Sequence, residues 1–176
     1  KKTTPETSQP GIETEELKTR LELLYDVALK ASSAAEVSEL IEQILSITRS
    51  MLNGSASSLH LVGGEKAETY FQTVDGDKGN ILRQKTLQLD SGIARWVSLN
   101  RKPLIIKDVY KDGRFDKKID AITNFVTKSL IAVPLIKGKK NIGVLEILNK
   151  ANQSEFNERD LAILDGVAST EALILL

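Results

Sequence analysis

The sequence predicts an α+β domain built around a mostly antiparallel sheet. Three observations carry that reading. Apolar residues recur at helical spacing near the start of the chain and again at its end. Between those stretches the period drops from 3.6 to 2. Short turn signals separate the alternating runs, and such hairpins pair strands antiparallel. Helices that precede and follow the strands can cover one face of the sheet, leaving the other face to a short helix and a long polar loop. A pocket between sheet and loop is the natural place for a small ligand.

Residues 1–13 are rich in Lys, Thr, Pro, Ser and Glu, which reads as a disordered tail or linker ahead of a single domain at 14–176. A helix is predicted from Thr14, with Leu17, Leu21, Leu24 and Ala28 on one stripe. Ser33 and Glu36 form a capping-box pattern for a second helix, whose apolar face runs from Val37 through Leu45 to Leu52. Asn53-Gly54 stops it, since both residues tolerate the left-handed conformation. Ser57 to Val62 then alternates, with Leu59 and Leu61 on one side and Ser58 and His60 on the other. Gly63-Gly64 is a turn, not a phosphate loop, because no P-loop pattern follows it. Lys66 to Thr73 returns as the second strand, Asp75 to Asn80 has loop composition, and Thr86 to Leu89 is a short strand. Ser91 is placed to cap a short helix carrying Ile93, Trp96 and Val97, and Pro103 to Ile106 is a brief strand. Lys107 to Thr127 is polar and irregular, with one helical turn near Lys117–Ile122; a stretch of that length inside a compact domain suits a binding loop or lid. Two long strands, Ser129 to Ile136 and Ile142 to Asn149, flank a turn, and Val133, Leu135, Val144 and Ile147 are their core candidates. Asn157 caps a last helix bearing Leu161, Leu164, Val167, Ala168 and Leu175.

Composition narrows the chemistry. With 176 residues the chain is long enough for one sizeable core. The 24 basic and 24 acidic residues balance, so no global field draws the chain to nucleic acid or to a membrane. Arg83, Lys85, Arg95, Arg101, Lys102, Lys117, Lys118, Lys139 and Lys140 are interspersed with acids and read as solvated surface. No apolar run approaches the roughly 18 residues of a membrane-spanning helix, and no signal peptide opens the chain. The chain has no cysteine, which excludes thiol catalysis, thiolate metal sites and thioether-linked cofactors, and suits a reducing cytoplasm. A single histidine, His60, leaves no conventional zinc set, so no metal is expected. On its own it reads as a partly buried residue of a pocket wall rather than as a haem ligand. Asp108, Asp112, Asp116 and Asp120 recur every four residues without a Gly-centred calcium loop, and turn formation is the default role for the first three. No nucleophile–base set is visible, so the chain is read as not an enzyme. Because it opens at Lys1 and has one methionine, Met51, it is expected to be a piece of a larger protein.

Several phrases, in order, resemble GAF domains: Leu24-Tyr25-Asp26-Val27, Ser91-Gly92-Ile93-Ala94-Arg95-Trp96-Val97, Ile106-Lys107-Asp108-Val109-Tyr110, Ser129 through Leu135, and Ile142 through Lys150. The resemblance covers roughly residues 17–175. It implies a six-stranded antiparallel sheet with helices on both faces, related in architecture to PAS domains. It also implies a cytoplasmic, regulatory, non-catalytic sensor of a small molecule that relays to an output domain in the parent chain. In such proteins the terminal helices often continue between protomers. The early stripe of the first helix and the apolar close Ile174-Leu175-Leu176 therefore lead to an expected homodimer.

The resemblance extends to individual positions. Among cyclic-nucleotide-binding members a Ser stands on the first strand, as Ser58 does here. The backbone at the start of the short helix matches at Ile93 and Ala94. An Asp followed by Thr residues stands in the lid, matched by Asp120, Thr123 and Thr127. A Glu precedes Asn-Lys on the last strand, as Glu146 does. These are the implied ligand residues, and cyclic AMP or cyclic GMP the implied ligands. Asn149, Lys150, Phe156 and Asp160 resemble the family's structural lock, in which Lys and Asp pair, although its closing acid is Leu161 here. The Phe-Asp pair usual at the end of the second strand is also missing, with Thr73-Val74-Asp75 in its region. The rival reading is a dimerisation and relay module with an empty or vestigial pocket.

Overall fold

The computed structural model describes residues 34–63, 66–73, 86–87 and 91–174, together with Thr19. The expected tail, Ser33 of the capping box, the loop at 75–80, Arg83, Lys85 and Leu175 lie outside the described residues, as does the first helix apart from Thr19.

The helix α1 (Ala34–Met51) buries Ile41, Ile44, Leu45 and Thr48, spaced so that they share one face. The Thr48 hydroxyl donates to the Ile44 carbonyl at 2.7 Å, which lets a polar residue sit wholly inside. Leu52, just past the helix end, is also buried. Asn53, at φ 51°, turns the chain into the sheet as expected.

The strands are β1 (Gly54–Gly63), β2 (Lys66–Thr73), β3 (Thr86–Leu87), β4 (Leu104–Ile106), β5 (Leu130–Lys137) and β6 (Lys140–Lys150). They lie in the order β3-β2-β1-β6-β5-β4, every pair antiparallel. Among the described residues four long strands form the body, with β3 and β4 at the edges. The α+β class with an antiparallel sheet is therefore as expected. The β5–β6 hairpin is tighter than the sequence suggests. Lys137 pairs directly with Lys140, and Gly138 supplies the positive φ of 58° that a two-residue turn requires.

Alternation along the strands divides the core in two. Leu59, Ile131, Val133, Leu135, Leu145 and Ile147 face α1 and the last helix, α4 (Glu158–Ile174). Ala56, Leu130, Ala132, Val144 and Leu148 face the opposite way, towards α2 (Gly92–Asn100) with its Ile93, Ala94 and Val97. The lid segment adds a 3-10 turn at Val109–Lys111 and a short helix, α3 (Lys118–Thr123). Its Phe115 and Phe125 pack against the second cluster, so the lid covers the α2 side of the sheet. Gly143 on β6 is required by close packing, because a Cβ there would stand 2.5 Å from the His60 carbonyl oxygen. No helix among the described residues is long and apolar enough to cross a membrane.

Candidate functional site

The site is built on the two central strands. Ser58 on β1 lies directly opposite Glu146 on β6, and His60 lies two residues further along β1, diagonal to it. All three point to the α2 side, because they alternate with Leu59, Leu145 and Ile147 of the other cluster. The Ser58 hydroxyl donates to Glu146 Oε2 at 2.9 Å, and His60 Nε2 stands 3.2 Å from the same oxygen. Ser58 is 2% exposed, His60 1% and Glu146 7%, so a carboxylate is held inside the protein by two partners on a neighbouring strand. Ile93 and Ala94 at the start of α2 pack in the same cluster as Val144 and Leu148, which flank Glu146.

The lid contributes a second polar cluster. Asp120 on α3 accepts the Thr127 backbone N–H through Oδ2 at 2.8 Å and the Thr127 hydroxyl through Oδ1 at 2.6 Å. Thr127 is buried. The side chain of Thr123 lies outside the described residues. The expected ligand residues thus fall into three groups: Ser58 and Glu146 on the sheet, Ile93 and Ala94 on α2, and Asp120 and Thr127 in the lid.

Asn149 fastens the lid to the sheet. At φ 53° its side chain turns out of the strand pattern. Its Oδ1 accepts the N–H groups of Lys128 at 2.6 Å and Ser129 at 3.2 Å, and its Nδ2 donates to the Val126 carbonyl at 2.7 Å. The next residue, Lys150, forms an ion pair with Asp160 and lies 5.7 Å from the centre of the Phe156 ring. Asn149, Lys150, Phe156 and Asp160 are thus brought to one end of β6.

Ser91 behaves differently from its expected role. It occupies the N-cap position of α2 but makes no side-chain cap; its hydroxyl donates instead to the Asp116 carboxylate. The charge-assisted bond to Asp116 sets the direction of the Ser91 side chain, and in that direction its oxygen accepts none of the helix N–H groups. That bond, reinforced by Lys118, holds the Asp116 carboxyl below the usual carboxylate range against a smaller opposing effect of burial. Asp112 is held low chiefly by the Arg114 side chain, which donates at 2.8 and 2.6 Å. Asp108, Asp112 and Asp116 each accept the N–H two residues on, at 3.1, 3.0 and 3.0 Å, which makes three successive Asx turns.

An open groove of about 600 Å³ runs along the outer side of α2, lined by Ser91, Arg95, Trp96, Arg114, Phe115 and Asp116 among others. The Arg114 guanidinium lies 4.5 Å from the Trp96 ring centre. None of the expected ligand residues lines this groove. Among the described residues no three metal-ligating side chains come together.

His60, expected to be partly buried, is fully buried beside Glu146. Its shared face with Ser58 was readable from the alternation, but the pairing of β1 with β6, which brings Glu146 alongside, was not.

A family model for the GAF domain matches residues 34–175. The chain is 33% identical over 93 residues to the cone cGMP-specific 3',5'-cyclic phosphodiesterase subunit alpha' of Bos taurus, a match covering 53% of this chain and 11% of that protein. The chain therefore spans only about a tenth of the length of such curated relatives. Among solved structures it is similar to the GAF domain of a phosphoenolpyruvate-protein phosphotransferase from Coxiella burnetii, with TM-score 0.72, 14% identity, and coverage of 92% of this chain and 94% of that one. It is also similar to a free methionine-R-sulfoxide reductase from Neisseria meningitidis, solved with its substrate, with TM-score 0.65, 15% identity, and coverage of 98% and 92%. At these identities the structural likenesses speak to fold alone.

Proposed function

Because this chain belongs to the GAF domain family, whose members are regulatory sensor modules, we propose that it senses a small molecule held between the sheet and the lid. In this reading it performs no chemistry itself and passes the bound state to an output domain of a larger cytoplasmic protein. The observation that carries the reading is Glu146. A carboxylate buried on a central strand costs stability unless it is partnered, and its place facing the lid suits a binding role. Here two partners hold it on the face that the lid covers.

A cyclic nucleotide is the first ligand to test. Support comes from the relative named as cGMP-specific and from the family pattern at Ser58, Ile93, Ala94, Asp120, Thr123, Thr127 and Glu146. Isothermal titration with cyclic GMP and cyclic AMP, paired with thermal-shift measurement, is the experiment. Saturable heat with either nucleotide supports the reading; no heat and no shift at millimolar concentration removes it. In the same reading Asn149, Lys150, Phe156 and Asp160 lock the end of β6 and do not touch ligand.

The second reading, a dimerisation and relay module with a vestigial pocket, is favoured by one observation. Asp120 and Thr127 already satisfy each other and need no ligand. Both readings include a homodimer through the terminal helices. Light scattering across a wide concentration range tests it, and a persistent monomer counts against both.

A further inference from the structure

Glu146 has two carboxylate oxygens, and the protein treats them differently. Oε2 takes both the Ser58 hydroxyl and His60 Nε2. Oε1 receives no hydrogen bond among the described residues. It is not sealed from solvent either; the one buried and unpartnered side-chain atom among those residues is Nη1 of Arg49. The Glu146 side chain is 9% exposed, against 2% for His60. One oxygen is thus pinned to the neighbouring strand while the other is left accessible on the face that the lid covers.

We infer that His60 is a positioning residue in ligand recognition: it fixes Oε2 of Glu146 so that Oε1 stands as the acceptor for an N–H group of the ligand. The inference rests on the sensor reading above and names the chemistry of one end of the ligand. Two bonds to the same oxygen fix the rotation of the carboxylate about its terminal torsion, which is otherwise soft. A preset acceptor selects for a donor, because a ligand that leaves it unpaired bears the cost of desolvating it. That end is therefore an amide, amino group or purine edge. A phosphate is excluded from it by the carboxylate charge and must lie elsewhere in the pocket. For His60 to bond Oε2, its Nε2 must carry the hydrogen, whatever the state of Nδ1.

The chain has only one histidine, so its imidazole is observed without overlap. Nitrogen-15 correlation spectra of the ring are recorded for wild type and Glu146→Gln, and cyclic GMP and cyclic AMP are titrated into wild type, His60→Gln and His60→Ala, with melting curves to verify folding. The expected spectrum has a protonated Nε2 whose resonance moves in Glu146→Gln. The expected affinities fall about tenfold in His60→Ala, the scale of one hydrogen bond to a charged group, and recover in His60→Gln, whose amide can still donate. An unprotonated Nε2, an imidazole indifferent to Glu146→Gln, or wild-type affinity in a folded His60→Ala protein overturns the inference. If wild type binds neither nucleotide, the nucleotide reading falls separately, and the imidazole spectrum alone decides the role of His60.

Discussion

Asp120 grips Thr127 with both carboxylate oxygens, one on the backbone N–H and one on the hydroxyl, and so closes the lid segment between them, seven positions apart, on itself. Hydrogen bonds to an ionised group are worth more than neutral ones, and Thr127 is buried, so the clasp orders this part of the lid. Asp120→Ala is expected to cost about 2 kcal/mol and to speed amide exchange at Thr127 at least about tenfold, with little change in the central strands. Hydrogen exchange read residue by residue checks it. The Asp120→Ala/Thr127→Ala double variant also bears on the ligand, since undiminished nucleotide binding in that protein would place the nucleotide away from the clasp.

The end of β6 is held by a denser arrangement. Asp160 takes the Lys150 ammonium and, through the same Oδ2, the Asn157 N–H at 3.0 Å. In return Asn157 Oδ1 accepts the N–H groups of Arg159 and Asp160 at 2.9 and 3.1 Å. This is a reciprocal capping box with Asn and Asp in place of Ser and Glu. It also accounts for Leu161: with Asp160 already serving both cap and ion pair, the next position is free to pack against the core cluster. Both charged side chains are nearly buried, at 13% and 12% exposure, so removing one strands the other. Lys150→Ala is expected to cost about 3 kcal/mol and Asn157→Ala about 1 kcal/mol, with Asp160→Ala the most damaging because it loses pair and cap together. Urea unfolding of the three variants gives the ranking, and an Asn157→Ala loss equal to that of Asp160→Ala would refute it.

Arg49 presents the opposite case. It is 9% exposed, its Nη1 is sealed without a partner among the described residues, and burial lowers its pKa from the ordinary arginine value. A sealed donor without a partner is a cost that an apolar residue of similar volume removes. Arg49→Met is expected to raise the melting temperature, with a gain of about 1–3 kcal/mol. Calorimetry decides the sign; a destabilised variant would mean that the guanidinium is held by something beyond the described contacts.

Much of the framework was legible because it rests on local rules. The change of period at Ser57, the stop at Asn53 and the cap at Asn157 each follow from one residue type meeting one backbone need. Val133, Leu135, Val144 and Ile147 are all buried as expected, Val144 on the α2 face and the other three against α1 and α4. The site was legible only in pieces. Ser58 and His60 were on one face and Glu146 was on a later strand, but nothing local to either strand encodes that β1 pairs with β6 across more than eighty residues. The missing cap at Ser91 has a related reason: Asp116, the carboxylate that orients its side chain, is twenty-five residues away. Long-range pairing decides which polar groups meet, and a single sequence carries little trace of it.

The lid's aspartates predict how the domain responds to acid. Asp112 is held low chiefly by the Arg114 hydrogen bonds, and Asp116 chiefly by the Ser91 hydroxyl. A carboxyl whose folded pKa lies below its unfolded value of about 3.9 contributes stability above that value and loses it as pH falls through the folded pKa. The wild-type protein should therefore lose this contribution only below about pH 4 and keep it in full at neutrality. Both side chains are partly exposed, at 17% for Asp112 and 26% for Asp116, so screening keeps the combined effect to about 1 kcal/mol. An Asp112→Asn/Asp116→Asn protein is expected to be less stable than wild type by that amount at pH 7 and to converge with it as pH falls through the lowered folded pKa values. The Asx turns can persist, since an asparagine side-chain oxygen still accepts the N–H two residues on. Urea unfolding at intervals from pH 7 downward measures the gap, and a gap that stays constant over that range would show that these carboxylates do not couple to folding.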